Sequence, residues 1–522
     1  MKKIIVLGGG SAGGMAAYTL KKCFPEKEIV MIKSKDIPAI GVGESTLGHF
    51  KQWLSLVDIK DKDFMKECDS VYKLSIRFQD FFKKEDGGYH YPFGVPDFTG
   101  NQAWFNDWVF KKILNPEIPV SDFADSYYPS MSLVKHNTLL DPEVADDYRL
   151  GTFSFKNDVA YQINAVKFGL WLCNSFKNKL KGTVIEDTVI DIKTNEDGVE
   201  YLQTKDNGKL NADLYIDCSG FKSILLGQSL KEPFESYEDF LPNNAAWATQ
   251  MPYTNKEKEL VNYTNCTAIE NGWVWKVPLW SRIGTGYVYS DKYVSDEDAL
   301  KQFQKHLGRA DLNFRNIKSK VGIYNRIYVK NVCAIGLSAG FIEPLESNGL
   351  YSVHEFLIKL VRVLKDRDSI SNYVKDQFNL SCSRLFREFA EFVAMHYSLS
   401  TRTDTEYWKA VQNRNYPLDK NNKKLHSLFE AANLWKFNDY HYPETNGVAC
   451  ISTGMHWFST DEFSLRYGQR LYDLNSLKEW KKVFSIMDDK KKDWDLKASF
   501  GIPFEEFMRL KIHESIELQN SR

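Results

Sequence analysis

The sequence predicts an α/β fold, a Rossmann-type nucleotide-binding layer followed by a mainly helical C-terminal region. Three observations carry it. The chain opens with an apolar β-type run (Ile4 to Leu7), a glycine-rich turn, a helical stretch (Met15 to Cys23) and a second apolar run (Ile29 to Ile32). That is the succession of a βαβ unit. Short β-rich runs then continue to about residue 350, among them Val184 to Ile192 and Leu214 to Ile216. Beyond them Val353, Phe356, Leu357, Leu360, Val361 and Leu364 recur at helical spacing, and Leu385, Phe386, Phe389, Phe392 and Val393 extend the pattern. Residues 1–365 are therefore read as one α/β domain and 366–522 as a mainly helical region packed on it.

Composition narrows the function. With 522 residues, 43% of them hydrophobic, the chain can bury a large core or two fused units. Lys plus Arg (68) nearly cancels Asp plus Glu (69), and no basic tract is interleaved with aromatics. A nucleic-acid partner is not expected. No apolar run approaches the roughly 20 residues that span a bilayer, so neither is a membrane. The apolar stretch of MKKIIVLGGG is too short for a signal peptide. Cysteines at 23, 68, 173, 218, 266, 333, 382 and 450 show neither CxxC nor Cys/His metal spacing. They read as reduced thiols of a cytoplasmic protein without a metal site. Self-association into a homo-oligomer is compatible with the sequence. The 34 Phe, 27 Tyr and 13 Trp are read as core except where a motif holds them.

The turn Gly8-Gly9-Gly10-Ser11-Ala12-Gly13-Gly14 carries the first chemistry. Gly8 permits a tight turn, Gly10 lets backbone approach a pyrophosphate, and Gly13 allows close helix–strand packing. The helix behind them offers unpaired N–H groups and a partial positive charge to phosphate. With a strand before and a helix after, this GxGxxG predicts dinucleotide binding. The second strand ends Met31-Ile32-Lys33-Ser34, with no acid placed for a ribose hydroxyl. That disfavours a plain NAD site and leaves FAD. No second GxGxxG follows, so electrons for the flavin are expected from another protein. DLYIDCSG (Asp213 to Gly220) and VCAIGLSAG (Val332 to Gly340) are strands running into small turns, read as later flavin contacts or as ordinary strand exits.

Four further segments carry the reaction: Gly41-Val42-Gly43-Glu44-Ser45-Thr46; ECDSVYKLSIRF (Glu67 to Phe78); Gly272-Trp273-Val274-Trp275-Lys276-Val277-Pro278; and FIEPLESNGLY (Phe341 to Tyr351). Together they resemble the flavin-dependent halogenases of the tryptophan halogenase type, the third matching the family's GWxWxxP pattern and the fourth FxxPxxSxG. HYSLSTRTDTEYW (His396 to Trp408) is similar to the family's helical region, and the resemblance runs from residue 4 to about 410.

In SVYKLSIRF, strand alternation puts Tyr72, Leu74, Ile76 and Phe78 on one face and Val71, Lys73, Ser75 and Arg77 on the other. By periodicity Lys73 is a polar-face lysine; the resemblance places it at the active-site lysine of halogenases. An ammonium there polarises hypohalous acid, or a neutral amine captures the halogen as a haloamine. Glu346, by pattern an exposed loop carboxylate, stands where the family keeps a glutamate beside the substrate, to stabilise the cationic ring and accept its proton. Asn348 and Gly349 fall where the family binds halide through backbone N–H groups. Trp273, Trp275 and Pro278 fall on the wall between flavin and substrate. By resemblance FAD contacts fall on Gly8, Gly9, Gly10, Ser11, Ala12, Gly13, Ser34, Ile37, Glu44, Val189, Leu337 and Leu350, and the substrate on Phe93, Tyr91 and Trp457. Segments within 47–150 face the substrate and 366–522 cover it. The implied activity is FADH2-dependent halogenation of an electron-rich indole or phenol with chloride, bromide or iodide. Hypohalous acid forms at the flavin, reaches Lys73 and reacts with Glu346 assisting; a separate NAD(P)H-dependent flavin reductase supplies FADH2.

Departures bear on the substrate. Gly14 stands where the family usually has Trp. In YHYPFGVP (89 to 96) the expected His is Tyr91, with His90 adjacent. The set that grips the amino-acid part of free tryptophan has only an echo in Tyr440, Tyr442, Glu444 and Trp457. Two other readings compete: a flavin monooxygenase that hydroxylates its substrate, and a non-catalytic FAD-binding protein.

Overall fold

Ile4, Ile5 and Val6 have no exposed surface because the strand that holds them, Lys3–Leu7, runs through the middle of a sheet. In the computed structural model, which describes residues 1–34, 43–97, 104–141, 150–367, 369–412, 443–456 and 477–514, that sheet has six strands. Their order is Tyr328–Val329, Val332–Ala334, Leu214–Asp217, Lys3–Leu7, Glu28–Lys33 and Thr183–Glu186. All pairs are parallel except the first. Near-continuous apolar runs are what a parallel sheet covered on both faces requires. The expected βαβ opening is present, its helix spanning Ser11–Cys23.

The run Val184 to Ile192, read as one strand, is two. Asp187 makes the corner by accepting the N–H groups of Thr188 (2.7 Å), Asp206 (3.0 Å) and Asn207 (2.9 Å). The second half, Val189–Asn195, joins an antiparallel sheet with Gly198–Thr204 and Gly208–Leu210.

The chain divides into two units: Met1–Val71 with Tyr161–Pro252 and Leu279–Ala390, and Tyr72–Ala160 with Tyr253–Pro278 and Glu391–Arg522. In the first, helices Ala165–Asn178 and Gly349–Leu364 pack on Ser11–Cys23. A Cβ on Gly14 would lie 2.9 Å from Leu172 Cβ, and one on Gly169 would lie 3.1 Å from Ser11 N. Two glycines thus let helices Ser11–Cys23 and Ala165–Asn178 cross backbone to backbone, which explains Gly14.

In the second unit, strand Tyr263–Ile269 lies between Gly272–Pro278 (antiparallel) and Ser75–Gln79 (parallel), and Gly88–Pro92 pairs with Ser75–Gln79. The expected single strand through SVYKLSIRF is broken at Leu74, whose N–H donates to Asn262 O (2.7 Å) and whose carbonyl accepts from Phe93 (2.9 Å). Helix Leu477–Ser499 is anchored by Lys111–Asp488 (2.7 Å), Lys135–Asp495 (2.9 Å) and Lys491–Asp122.

All eight cysteines are free thiols. Among the described residues no helix is long and apolar enough to cross a membrane, and no cluster of His, Cys, Asp and Glu could hold a metal ion.

Candidate active site

The glycine turn is built by contact. Gly8 has φ 130°, in the region that favours glycine, and its missing Cβ would stand 2.2 Å from Cys218 O. A Cβ on Gly13 would stand 2.0 Å from Gly8 O, so strand exit and helix touch. Gly10 differs: nothing lies within 4 Å of its Cβ direction, and as N-cap it gives the helix no side-chain cap. The open side and uncapped helix N–H groups fit a pyrophosphate. Ser11 Oγ is committed to Ala165 O (2.9 Å). The turn of VCAIGLSAG closes on the same place, a Cβ on Gly336 meeting Ala12 Cβ at 2.8 Å. This brings half-buried Leu337 and the phosphate turn together. Ser34 Oγ hydrogen-bonds Thr188 Oγ1 (2.9 Å), beside Val189. Ile37 lies outside the described residues.

A contrast between two glycines follows. Gly10→Ala is expected to fold with unchanged Tm yet bind FAD at least about tenfold more weakly, the methyl intruding only on the ligand. Gly13→Ala is expected to lose about 1–3 kcal/mol of stability by overpacking as well as FAD affinity. Thermal melts beside flavin-fluorescence titrations separate them, and equal effects on Tm would sink the assignment of the open side.

FIEPLESNGLY folds as a chain of short-range turns. A 3-10 turn, Pro344–Glu346, is followed by Ser347 in the left-handed region (φ 60°) and then by the helix from Gly349. Asn348 Nδ2 donates to Ile342 O (3.4 Å), drawing the ends together. Glu343 is wholly buried and accepts from Asn243 Nδ2 (2.8 Å), pinning the loop to a residue 100 positions earlier. Sequence reasoning missed both, because nothing periodic marks them. Glu346 has 0% exposure, so it is no surface carboxylate. Leu350 is buried in the first helical turn, and Glu44 Oε2 lies 2.7 Å from where a Cβ of Gly349 would stand.

Lys73, in the second unit, also has 0% exposure. Its Nζ lies 4.9 Å from the centroid of Phe93, a cation on a ring face. Phe93 meets Tyr91 edge-on (5.8 Å), and Tyr91 meets Phe392 (6.1 Å). His90 cannot stand in for the expected histidine at 91. It pairs across from Arg77, accepts or donates at Ser75 Oγ (3.0 Å) and meets Tyr263, while Tyr91 pairs with Ile76. Burial, and then the charge of Arg77, pushes His90 down to about 3, so it is neutral. Arg77 reaches Asn265 (3.5 Å) rather than Phe93. Trp273 and Trp275 share a strand face, rings 6.1 Å apart and both buried, with Pro278 closing the strand. Trp457 lies outside the described residues, as do Tyr440, Tyr442 and the side chain of Glu444.

A mainly parallel sheet and a glycine turn open to phosphate define a Rossmann-type dinucleotide-binding fold. The tryptophan halogenase family model matches residues 3–461. The chain belongs to that family. It is 32% identical over 448 residues to tryptophan 6-halogenase SttH of Streptomyces toxytricini, covering 83% of this chain and 84% of that one. The apo structure of VirX1 superimposes with a TM-score of 0.91 at 35% identity, covering 98% of this chain and 100% of that chain. Tar14, a tryptophan C-6 flavin-dependent halogenase (chlorinase) from taromycin biosynthesis, superimposes with a TM-score of 0.82 at 27% identity, covering 98% and 100%. The enzyme halogenates a small aromatic substrate using FADH2 and halide, and a separate flavin reductase supplies the reduced flavin. The hydroxylating and non-catalytic readings give way to this one.

Proposed function

We propose that the enzyme halogenates an electron-rich indole or phenol through hypohalous acid that Lys73 receives and aims. The observation that supports this best is the complete burial of Lys73 against Phe93. An amine drawn into an aromatic, water-poor setting serves no solvation purpose, and there it can hydrogen-bond an oxidant and confine it. Glu346 stabilises the cationic ring and takes its proton. The N–H groups of Asn348 and Gly349 hold the halide. Trp273, Trp275 and Pro278 keep the organic substrate from the flavin, and Phe93, Tyr91 and Trp457 hold it.

FAD is held by the Gly8–Gly13 turn with Ser34, Ile37, Glu44, Val189, Leu337 and Leu350. When bound in its reduced form it supplies, with oxygen, the equivalents that oxidise halide. Residues 366–522 cover the substrate, and the enzyme works in the cytoplasm.

Of the similar proteins named above, SttH is a tryptophan 6-halogenase and Tar14 a tryptophan C-6 halogenase. Tyr91 in place of the family's histidine favours another indole or a phenol here. The test is a panel of indoles and phenols, free tryptophan included, incubated with the FAD-loaded enzyme, a flavin reductase, NADH and bromide. Mass spectrometry is expected to show a brominated non-tryptophan substrate turned over faster than tryptophan; tryptophan alone, or oxygenated product, would overturn the proposal.

A further inference from the structure

We propose that Glu44 takes up a proton as halide binds, so that halide enters its cradle together with H⁺ as a neutral pair. This rests on the reading above that the N–H groups of Asn348 and Gly349 hold the anion. Glu44 sits on the two-residue strand Glu44–Ser45, which pairs with Ile163 and Gln162 and packs on the helix Gly349–Leu364. A Cβ on Gly349 would lie 2.7 Å from Glu44 Oε2, closer than real Cβ atoms come to any neighbour. The glycine of FxxPxxSxG thus makes room in this chain for a carboxylate. The helix it opens has 16 residues, no acid in its first turn and no side-chain cap. Asn348, only 6% exposed, has its Oδ1 without a hydrogen-bond partner among the described residues, a buried acceptor that an anion does not satisfy and a proton donor does.

An anion held at this helix start stands beside the carboxyl of Glu44, and two negative charges in a poorly hydrated place exclude each other. Proton uptake removes the conflict: carboxylate, H⁺ and halide become carboxylic acid and bound halide, with no change in net charge. Part of Glu44 stays open to solvent, yet its carboxyl is enclosed enough that burial raises it to about 7, within reach of a proton at neutral pH. No described charged group contributes to that rise. The facing strand Ala160–Ile163 offers only Tyr161, whose hydroxyl donates to Asp61 (2.5 Å). The helix offers Tyr351, His354 and Glu355, the last two paired at 3.5 Å.

The sign follows from the raised carboxyl. Below about pH 7 Glu44 is protonated and halide affinity is pH-independent; above it the apparent Kd rises about tenfold per pH unit, one proton being linked to each anion. The experiment is a chloride titration of the FAD-loaded enzyme, followed by chloride NMR line width between pH 5.5 and 9. Wild type is expected to show that slope, and Glu44→Gln to be flat and at least about tenfold tighter than wild type at pH 8.5. A flat wild type, or an unchanged slope in Glu44→Gln, overturns the proposal. Should Glu44→Gln fail to fold or to hold FAD, unbuffered wild-type enzyme decides. Added chloride at pH 7.5 must consume protons, and no uptake overturns the linkage. Chloride binding without pH dependence sinks only this proposal; no binding at any pH sinks the halide cradle itself.

Discussion

Lys73→Ala is expected to lower halogenated product at least about a thousandfold while FAD binding and hydrogen peroxide release persist. The lysine and the phosphate turn belong to different units. Its ammonium lies on the Phe93 ring, and its strand, Val71–Lys73, ends at the lysine itself. Oxidation of reduced flavin therefore continues, and the oxidant escapes as peroxide instead of reaching the ring. Lys73→Arg is not expected to rescue, since a planar guanidinium neither fills the same space nor carries halogen as an amine does. Mass spectrometry of the product, paired with a peroxide assay, checks both halves. Halogenation at wild-type rate in Lys73→Ala would falsify the assignment.

Glu346→Gln carries the second large effect: kcat is expected to fall about 10²–10⁴-fold, with the halide KM nearly unchanged. Glutamine keeps the volume of this wholly buried side chain, and the 3-10 turn Pro344–Glu346 persists, so what is lost is charge and basicity. In the proposed cradle the halide sits on the backbone N–H groups of Asn348 and Gly349, which the substitution leaves in place. A steady-state split into kcat and KM separates this from a distorted loop, which would raise the halide KM as well. A kcat within about threefold of wild type would remove Glu346 from the chemistry.

Much of the framework was legible because it is local. Gly8, Gly10 and Gly13 report a turn whose contacts all lie near it or one strand away, and apolar strands flanked it at the right spacing. Burial of the site was not legible. Alternation made Lys73 a polar-face lysine, and the loop pattern made Glu346 a surface acid, yet both have 0% exposure. The chain beside them is fixed from far away: Leu74 is held by Asn262, and Glu343 by Asn243. Tyr89 likewise reaches His396 (2.9 Å) across 307 positions. No windowed pattern sees such pairs. The resemblance supplied Lys73 and Glu346 but neither Asn243 nor Glu343, which no quoted role marks. Strand breaks at Leu74 and Asp187 were missed because runs of β-formers hide a corner, made at Asp187 by one hydrogen-bonding side chain and at Leu74 by backbone bonds to Asn262 and Phe93.

The sealed positions of Lys73 and Glu346 also bear on how this protein can be altered. Moving an ion out of water costs several kcal/mol even after local relaxation, and isosteric apolar replacements are often neutral or stabilising. A library screened for heat tolerance alone would therefore drift toward methionine or leucine at 73 and glutamine at 346, enriching sturdier molecules that no longer modify anything. Directed evolution of this scaffold must couple every round of hardening to a product readout, or its winners will be inert.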